Sequence, residues 1–345
     1  MTTPFAINGL GRIGRALLRI AAGRDDVEVV AVNDPVPAAA LARLVARDTM
    51  HGPYAGEVWA DGSDLVVDGR RIPVSAAPTP ADCDWGDSGA RIVVEASGRF
   101  LGRAEAAGHL GQGTGGVERV ILSANAPGPD VTLCRGVNFD AYDPARHRVL
   151  SNSSCTTNCL APLVRVLDDA FGVERVAMST VHSYTGNQRL VDSHHAEARR
   201  SRAAAVNLIP VASSAAAALG RLMPHLAGRV AGMSVRVPTA VGAMMEITAE
   251  LGSDADTADL RDAFRAAASG ATGDPDLAAV LAISEEELVS SDFVGNPHSA
   301  VVDLPLAEVV DRRLARVVAW YDNEWGYATR LADLVARVGG PRNGS

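Results

Sequence analysis

Cys155 and His182 are the residues of this 345-residue chain whose types and settings could do covalent chemistry. Cys155 lies in the stretch S-N-S-S-C-T-T-N-C-L-A-P, Ser151 to Pro162, with small polar residues before it and a helix-compatible run, Leu160 to Leu167, after it. That pattern predicts a turn opening a helix, with Cys155 in its first turn. Unpaired N–H groups and the positive dipole end favour a thiolate there, and a helix start is also an anion site. Alone, the stretch fits a nucleophile and a buried structural cysteine alike. His182 ends a strand pattern, Val173 to His182, whereas the other histidines fall in loops or polar helices. A lone histidine at a strand end is ordinarily structural. Paired with a thiol, it would depress the thiol pKa and shuttle a proton.

A second chemistry is written at the amino terminus. Phe5 to Leu10 reads as a short buried strand that breaks into Gly9-Leu10-Gly11-Arg12-Ile13-Gly14, and Arg15 to Ala22 is helical. This is G-x-G-x-x-G between strand and helix, where glycines permit a tight turn and close approach of a pyrophosphate. Val27 to Val32 follows as a second strand ending in Asn33-Asp34-Pro35. An acid there is placed to accept from a ribose 2′-OH and to repel a 2′-phosphate. Strand, helix, strand and acid in this order predict dinucleotide binding. With a nicotinamide cofactor, a Cys–His pair suggests aldehyde oxidation: thiolate attack gives a hemithioacetal, and His182 accepts the hydroxyl proton as hydride leaves.

The elements that must position these groups follow a strand-and-helix alternation. Pro37 to Arg47 is a helical pattern, Thr49 to Val74 reads as loop and short hairpins, Ile92 to Glu95 and Val120 to Leu122 as buried strands, and Leu101 to Leu110 as a helix. Past the cysteine helix, Asn187 to Asn207 is a polar loop bearing Arg199, Arg200 and Arg202. Ser213-Ser214 precede an alanine-rich helix, Met233 to Pro238 is a strand carrying Arg236, and Val317 to Tyr321 is a late strand before D-N-E-W-G-Y and a closing helix to Val338.

Composition narrows the classes. A formal net charge of −9 argues against nucleic acid or an anionic membrane as the main partner. All 32 basic residues are arginine, which removes Schiff-base and lysine-nucleophile chemistry. The 4 cysteines, Cys83, Cys134, Cys155 and Cys159, are too few for a disulfide scaffold, and no second pair or nearby histidine makes a zinc site of Cys155 and Cys159. No metal is expected. Without a signal-peptide or membrane-span pattern, the expected compartment is a reducing cytoplasm.

Together S-N-S-S-C-T-T-N-C-L-A-P, T-V-H-S-Y-T around His182, R-A-A-A-V-N-L-I-P, S-V-R-V-P-T around Arg236, S-S-D-F-V-G-N-P-H-S, W-Y-D-N-E-W-G-Y and I-N-G-L-G-R-I-G-R resemble phosphorylating glyceraldehyde-3-phosphate dehydrogenases from about Phe5 to Val338. The cysteine and W-Y-D-N-E-W-G-Y segments are the specific ones. The resemblance implies an α/β fold: a Rossmann doubly wound dinucleotide-binding domain over 1–154, an α+β catalytic domain with a large, mostly antiparallel sheet over 155–322, and a C-terminal helix over 323–345 returning to the first. It implies Cys155 as nucleophile and His182 as base. Ser154, Thr156, Ser213, Ser214 and Arg200 would sit at an inorganic-phosphate site, and Thr185 and Arg236 would hold the substrate phosphate. Arg12, Ile13, Asp34 and Ser123 would contact the dinucleotide beside the glycines, and Asn323 the nicotinamide carboxamide. The implied partners are glyceraldehyde 3-phosphate, inorganic phosphate and NAD, in a homotetramer whose arginine-bearing loop reaches a neighbour's cofactor.

The departures from the family pattern cluster around the cofactor and inorganic-phosphate sites. Ser213-Ser214 replace a usual Thr-Gly, Ser153 a usual Ala, and Ser193-His194 a Leu-Pro pair that selects NAD. Pro78 stands where an arginine is usual, Asn125 where proline is usual, and Pro-Asn is absent after Thr239. NADP is therefore kept open as a cofactor, and so is a specialised isozyme. An erythrose 4-phosphate dehydrogenase releasing its acyl group to water, and a dinucleotide-binding regulator without turnover, are the other readings. Thr185 beside Tyr184 favours the triose enzyme over the first, and the Cys155–His182 pair speaks against the second.

Overall fold

The computed structural model describes residues 2–113 and 115–340. They divide into two compact units: residues up to Leu133 with Phe139–Ser153 and the chain from Ala328 on, and Cys134–Asn138 with Ser154–Tyr327.

The first unit carries a 9-stranded sheet among the described residues. Its parallel part runs Val131–Thr132, Val149–Ser151, Arg119–Leu122, Ile92–Glu95, Thr3–Asn8, Val27–Asn33 and Arg70–Ser75, in spatial order. Asp64–Val67 and Val58–Asp61 extend it antiparallel. The central strands are apolar on both faces and fully buried, as Phe5, Ala6, Ile7, Val93 and Val94 show at 0% exposure. From Thr3–Asn8 the chain winds outward in both directions, so the carboxyl ends of Thr3–Asn8 and Ile92–Glu95 flank the switch point where such sheets open a crevice.

Helix Arg12–Ala22 follows the first strand. Gly9 has φ +94 and a Cβ there would lie 2.5 Å from the Ser97 Cα, while a Cβ on Gly14 would lie 2.2 Å from the Gly9 carbonyl oxygen. Both positions need glycine for the fold itself. Around Gly11, by contrast, a Cβ would meet nothing within 4 Å.

One expected element differs. Leu101 to Leu110 is not a continuous helix but a short turn, Arg103–Ala106, continued by the 3₁₀ segment Ala107–His109. Gly108 inside the run weakens an α-helix, and its bare Cα approaches Pro80 and Ala81 so closely that a Cβ would lie 3.0 Å from the Ala81 nitrogen.

The second unit is built on an 8-stranded sheet among the described residues. The order is Ile209–Ala212, Val230–Val237, Val173–Ser183, Ala243–Leu251, Leu314–Tyr321, Ala300–Asp303 and Leu281–Ser284, with Glu308–Val310 also on Leu314–Tyr321. Two neighbouring pairs are parallel and the others antiparallel. Helices Cys155–Phe171, Ala215–Leu222 and Thr257–Ser269 cover one face, and Leu160, Leu163, Val164, Met245, Ile247 and Val317 fill the core between. Along Val173–Ser183 burial alternates near the end, with Thr180 and His182 buried and Val181 exposed. That period of two aims the histidine into the unit.

The closing helix, Trp325–Gly339, starts where Asp322 accepts from the Glu324 and Trp325 amides at 2.8 and 2.9 Å. Its later turns belong to the first unit, where Asp333 pairs with Arg24 at 2.7 Å. Guanidinium–carboxylate pairs recur over both units, among them Arg165–Asp274 and Arg316–Glu246.

The two glycine environments predict unequal tolerance. Gly14→Ala should cost about 1–3 kcal/mol through overpacking, and Gly11→Ala less than about 1 kcal/mol, the loss of a tolerable N-cap. Urea unfolding midpoints measure both, and equal midpoints would contradict the packing described.

Candidate active site

The Cys155 thiol is placed by a capped helix start. Ser154 is the N-cap of Cys155–Phe171, its hydroxyl accepting from the Thr157 amide at 3.2 Å. Cys155 is therefore the first helical residue, as its polar run predicts. Four strands then compose the wall it faces. In sheet register Arg236 pairs with His182, His182 with Ala243, and Ala243 with Tyr321. Small Ala243 lets the His182 and Tyr321 rings meet edge-on, with centroids 5.9 Å apart.

Cys155 Sγ lies 3.5 Å from His182 Nε2. The pairing expected between the two is thus present as a contact. Thr156 Oγ1 is 4.0 Å from the sulfur and 3.4 Å from the Tyr321 hydroxyl, which also lies 3.0 Å from Thr180 Oγ1. Tyr321 and Thr180 were not among the residues expected at the site, although Tyr321 immediately precedes the D-N-E-W-G-Y segment.

Around the other imidazole nitrogen two polar atoms crowd, making a cluster of three with it. Nδ1 is 2.8 Å from the Ser183 carbonyl oxygen and 2.7 Å from Arg236 Nη1, and Nη1 donates to the same carbonyl at 3.1 Å. Arg236 forms no ion pair with a carboxylate among the described residues, and its buried Nε has no partner there. Arg200, its side chain 11% exposed, acts on Arg236 as a second cation while itself donating to Glu197 at 2.9 Å.

These surroundings correct one expectation. The helix start was expected to favour the thiolate, yet burial pushes the Cys155 thiol up, against the Arg236 cation and the Thr156 hydroxyl and amide that pull it down. Burial, then Arg236, drive His182 down to about 3, opposed by the Ser183 carbonyl. A thiol beside a neutral imidazole is the favoured pair. Local sequence reports the dipole but not the depth of burial.

The remaining expected residues of this unit fall on neighbouring elements. Thr185 follows the His182 strand, its amide donating to Gln188 at 3.2 Å. Ser213 and Ser214 stand at the start of Ala215–Leu222, a helix that packs on Cys155–Phe171, with Ser213 Oγ accepting from the Ala215 amide at 3.3 Å. Asn323 Oδ1 accepts from Ser183 Oγ at 3.0 Å and the Gly242 amide at 2.9 Å, which fixes the carboxamide and leaves its nitrogen unpartnered among the described residues.

In the first unit the crevice at the switch point encloses about 190 Å³, lined by Asn8, Gly9, Gly11, Asp34, Pro78 and Ser97 among others. Helix Arg12–Ala22 opens there without a capping side chain or an acid in its first turn, which leaves its amides for an anion. Asp34 accepts from the Leu10 amide at 2.7 Å and the Val36 amide at 2.9 Å, so its carboxylate is held at the end of the second strand. Arg12 pairs with Asp48, Ile13 is half-buried in the first helical turn, and Ser123 donates its amide to the Glu95 carbonyl at 3.0 Å. Open space at Gly11 and the placed acid fit an adenosine pyrophosphate.

Sequence reasoning missed the crevice floor. Asn8 donates to Glu95 at 2.5 Å and accepts from Asn33 at 2.8 Å; Glu95 also accepts from the Ser97 amide and hydroxyl at 2.8 and 2.6 Å and faces His109 at 3.2 Å. Polar residues at the ends of the strands Thr3–Asn8, Val27–Asn33 and Ile92–Glu95 were the available signal. Two departures from the family pattern also bond each other: buried Ser153, at φ 58, donates its hydroxyl to Asn125.

Comparison with known proteins bears on these two sites. Residues 3–103 match the family described as glyceraldehyde 3-phosphate dehydrogenase, NAD binding domain, and residues 154–323 match glyceraldehyde 3-phosphate dehydrogenase, C-terminal domain. A glyceraldehyde-3-phosphate dehydrogenase of Kitasatospora aureofaciens is 50% identical over 334 residues, covering 96% of this chain and 98% of that protein. The one of Priestia megaterium is 46% identical over 338 residues, 98% of each chain. Glyceraldehyde-3-phosphate dehydrogenase 2 of Bacillus subtilis is 42% identical over 338 residues, 98% of this chain and 97% of its own. With both halves matched and such identity over nearly its full length, the chain belongs to the glyceraldehyde-3-phosphate dehydrogenase family.

Proposed function

We propose that this protein oxidises glyceraldehyde 3-phosphate with NAD and transfers the acyl group to inorganic phosphate. The observation that carries the reading is the 3.5 Å contact between Cys155 Sγ and His182 Nε2, inside a chain that also holds a dinucleotide crevice. NAD, when bound, accepts the hydride. The chain's own residues do the rest. His182 takes the Cys155 thiol proton as the sulfur attacks the aldehyde carbon and returns it to the carbonyl oxygen, which becomes the hydroxyl of a hemithioacetal and leaves the imidazole neutral. His182 then removes that hydroxyl proton while hydride departs, which leaves an acyl thioester on Cys155. Phosphate attacks the thioester carbon and expels the thiolate.

The binding roles follow from charge and position. Arg236, half-buried and without a carboxylate partner among the described residues, holds the substrate phosphate with Thr185. Ser154, Thr156, Ser213, Ser214 and Arg200 receive the attacking phosphate, near the starts of two packed helices. Gly9, Gly11 and Gly14 with Arg12, Ile13 and Ser123 hold the dinucleotide, Asp34 its ribose, and Asn323 the nicotinamide carboxamide. The carboxylate of Asp34 favours NAD over NADP. Four free thiols suit a reducing cytoplasm. No helix among the described residues is long and apolar enough to cross a membrane. Leu190, Val191, Val206 and Leu208 are each at least 69% exposed on the arginine-bearing loop, a surface suited to further copies of this chain in a homotetramer.

In a spectrophotometric assay with glyceraldehyde 3-phosphate, sustained NADH formation should require inorganic phosphate. Phosphate-independent turnover would favour the erythrose-type reading instead. Cys155→Ala should abolish turnover, and His182→Asn should lower kcat by about 10²–10⁴; a variant of either residue with wild-type rate would remove the mechanism. Asp34→Ala should raise the NADP/NAD ratio of kcat/KM about tenfold, equivalent to ~1.4 kcal/mol, and an unchanged ratio would take discrimination away from that carboxylate. The double variant Leu190→Asp, Leu208→Asp should shift the mass seen by light scattering toward a smaller species, and an unaltered tetramer would place the interface elsewhere.

A further inference from the structure

The three polar atoms at Nδ1 of His182 cannot all be satisfied at once. If Nδ1 carries the proton, it donates to the Ser183 carbonyl at 2.8 Å but confronts the Arg236 Nη1 donor at 2.7 Å. If Nδ1 is bare, the two hydrogens of Nη1 serve both acceptors, Nδ1 at 2.7 Å and the Ser183 oxygen at 3.1 Å. Charge-assisted bonds are about twice as strong as neutral ones, so the second arrangement wins while the guanidinium stays where it is. The imidazole proton then sits on Nε2, pointing at Cys155 Sγ 3.5 Å away. In that tautomer His182 donates to the site and has no lone pair on Nε2 to act as a base.

We propose that Arg236 gates the tautomer of His182: its guanidinium holds the imidazole in the Nε2–H form, and a substrate phosphate that draws the guanidinium away returns the proton to Nδ1 and frees Nε2 as the base. The proton balance closes through solvent. Nε2 releases a proton to water and Nδ1 takes one from water, with no net change in charge. Nδ1–H then donates to the Ser183 carbonyl, already within reach. The proposal rests on the reading that Arg236 receives the substrate phosphate.

The geometry is built for such a gate. His182 and Arg236 are register partners on adjacent parallel strands, so their contact is part of the sheet. No carboxylate pairs with Arg236 among the described residues to hold it in place, and its Nε is buried and unbonded there. The titratable and charged groups facing His182 from the surrounding elements are Cys155, Arg236 and Tyr321, with Arg200 and Glu197 acting on Arg236. Of these, Arg236 alone reaches Nδ1. Its cation also helps press His182 toward neutrality, so a dianion that offsets it would make the ring a better proton acceptor.

The test uses the full-length protein labelled with ¹⁵N-histidine, His182 being assigned by loss of its signals in His182→Asn. The probe is glycerol 3-phosphate, which carries the phosphate dianion without a reactive aldehyde, and its binding is followed independently by calorimetry. Without the probe, the His182 signals should report a protonated Nε2; with saturating probe, a protonated Nδ1. Arg236→Gln should show protonated Nδ1 with or without the probe. Kinetics give a second readout: on unphosphorylated glyceraldehyde, Arg236→Gln should form NADH severalfold faster than wild type, while losing most activity on glyceraldehyde 3-phosphate. A probe that binds wild type and leaves the tautomer unchanged overturns the gate and spares the phosphate reading. A probe that does not bind overturns both. Should Arg236→Gln not fold, the wild-type titration decides alone.

Discussion

The second unit depends on one row of its sheet. Ile209, Arg236, His182, Ala243 and Tyr321 stand side by side across five strands, and the chemistry is a reading of that row from edge to centre. Because side chains alternate faces with a period of two, a slip of one residue in any of these pairings would turn a member of the row outward. The apolar alternation of each strand prevents the slip: Val176, Met178, Met245, Ile247 and Val317 are buried on the same side as the row. Core packing thus fixes catalytic geometry without any contact designed for that alone. The helix start then brings the sulfur to the row, since Ser154 caps the first turn and Cys155 follows it.

The two units use charge in opposite ways. Where the dinucleotide ribose would lie, a carboxylate is pinned by backbone amides, beside a helix start with no acid in its first turn. Around the thiol, a half-buried guanidinium makes no ion pair with a carboxylate among the described residues. Burying a charge without an ionic partner is expensive, and Arg236 bonds a carbonyl and an imidazole nitrogen, with Glu197 acting on it electrostatically. A fold that keeps such a group carries a standing preference for an incoming anion. The same cation disfavours protonated His182 and favours ionised Cys155, so it acts on both members of the Cys155–His182 pair in directions that burial either reinforces or opposes.

What could be read in advance was local. Gly9 and Gly14 are needed within a single turn, the cap and the cysteine lie in adjacent positions, and the strand before His182 alternates in a window of a few residues. Asp34 was legible because it ends a strand whose order in the chain is diagnostic. Other features needed three dimensions. Arg236 and His182 are 54 residues apart, and their meeting depends on parallel pairing of strands that no local pattern announces. Tyr321 arrives from farther still, and the Asn8–Glu95–His109 floor joins two separate strand ends and a turn. The thiolate expectation failed for the same reason: a dipole is a property of a segment, whereas burial belongs to the whole unit. The helix expected over Leu101 to Leu110 failed because Gly108 answers to a neighbouring turn rather than to its own run.

The ion pairs that lace both units, Arg24–Asp333, Arg165–Asp274 and Arg316–Glu246 among them, are made by guanidinium except where a histidine takes its place, in a chain with no primary side-chain amine. Guanidinium stays protonated far above neutrality and so lacks a free lone pair for attack on activated carbonyls. Under the proposed reaction the enzyme makes an acyl thioester and releases an acyl phosphate, both of which modify amines. Its arginine scaffold is chemically deaf to its own product: no guanidinium bridge in it offers acylation an amine.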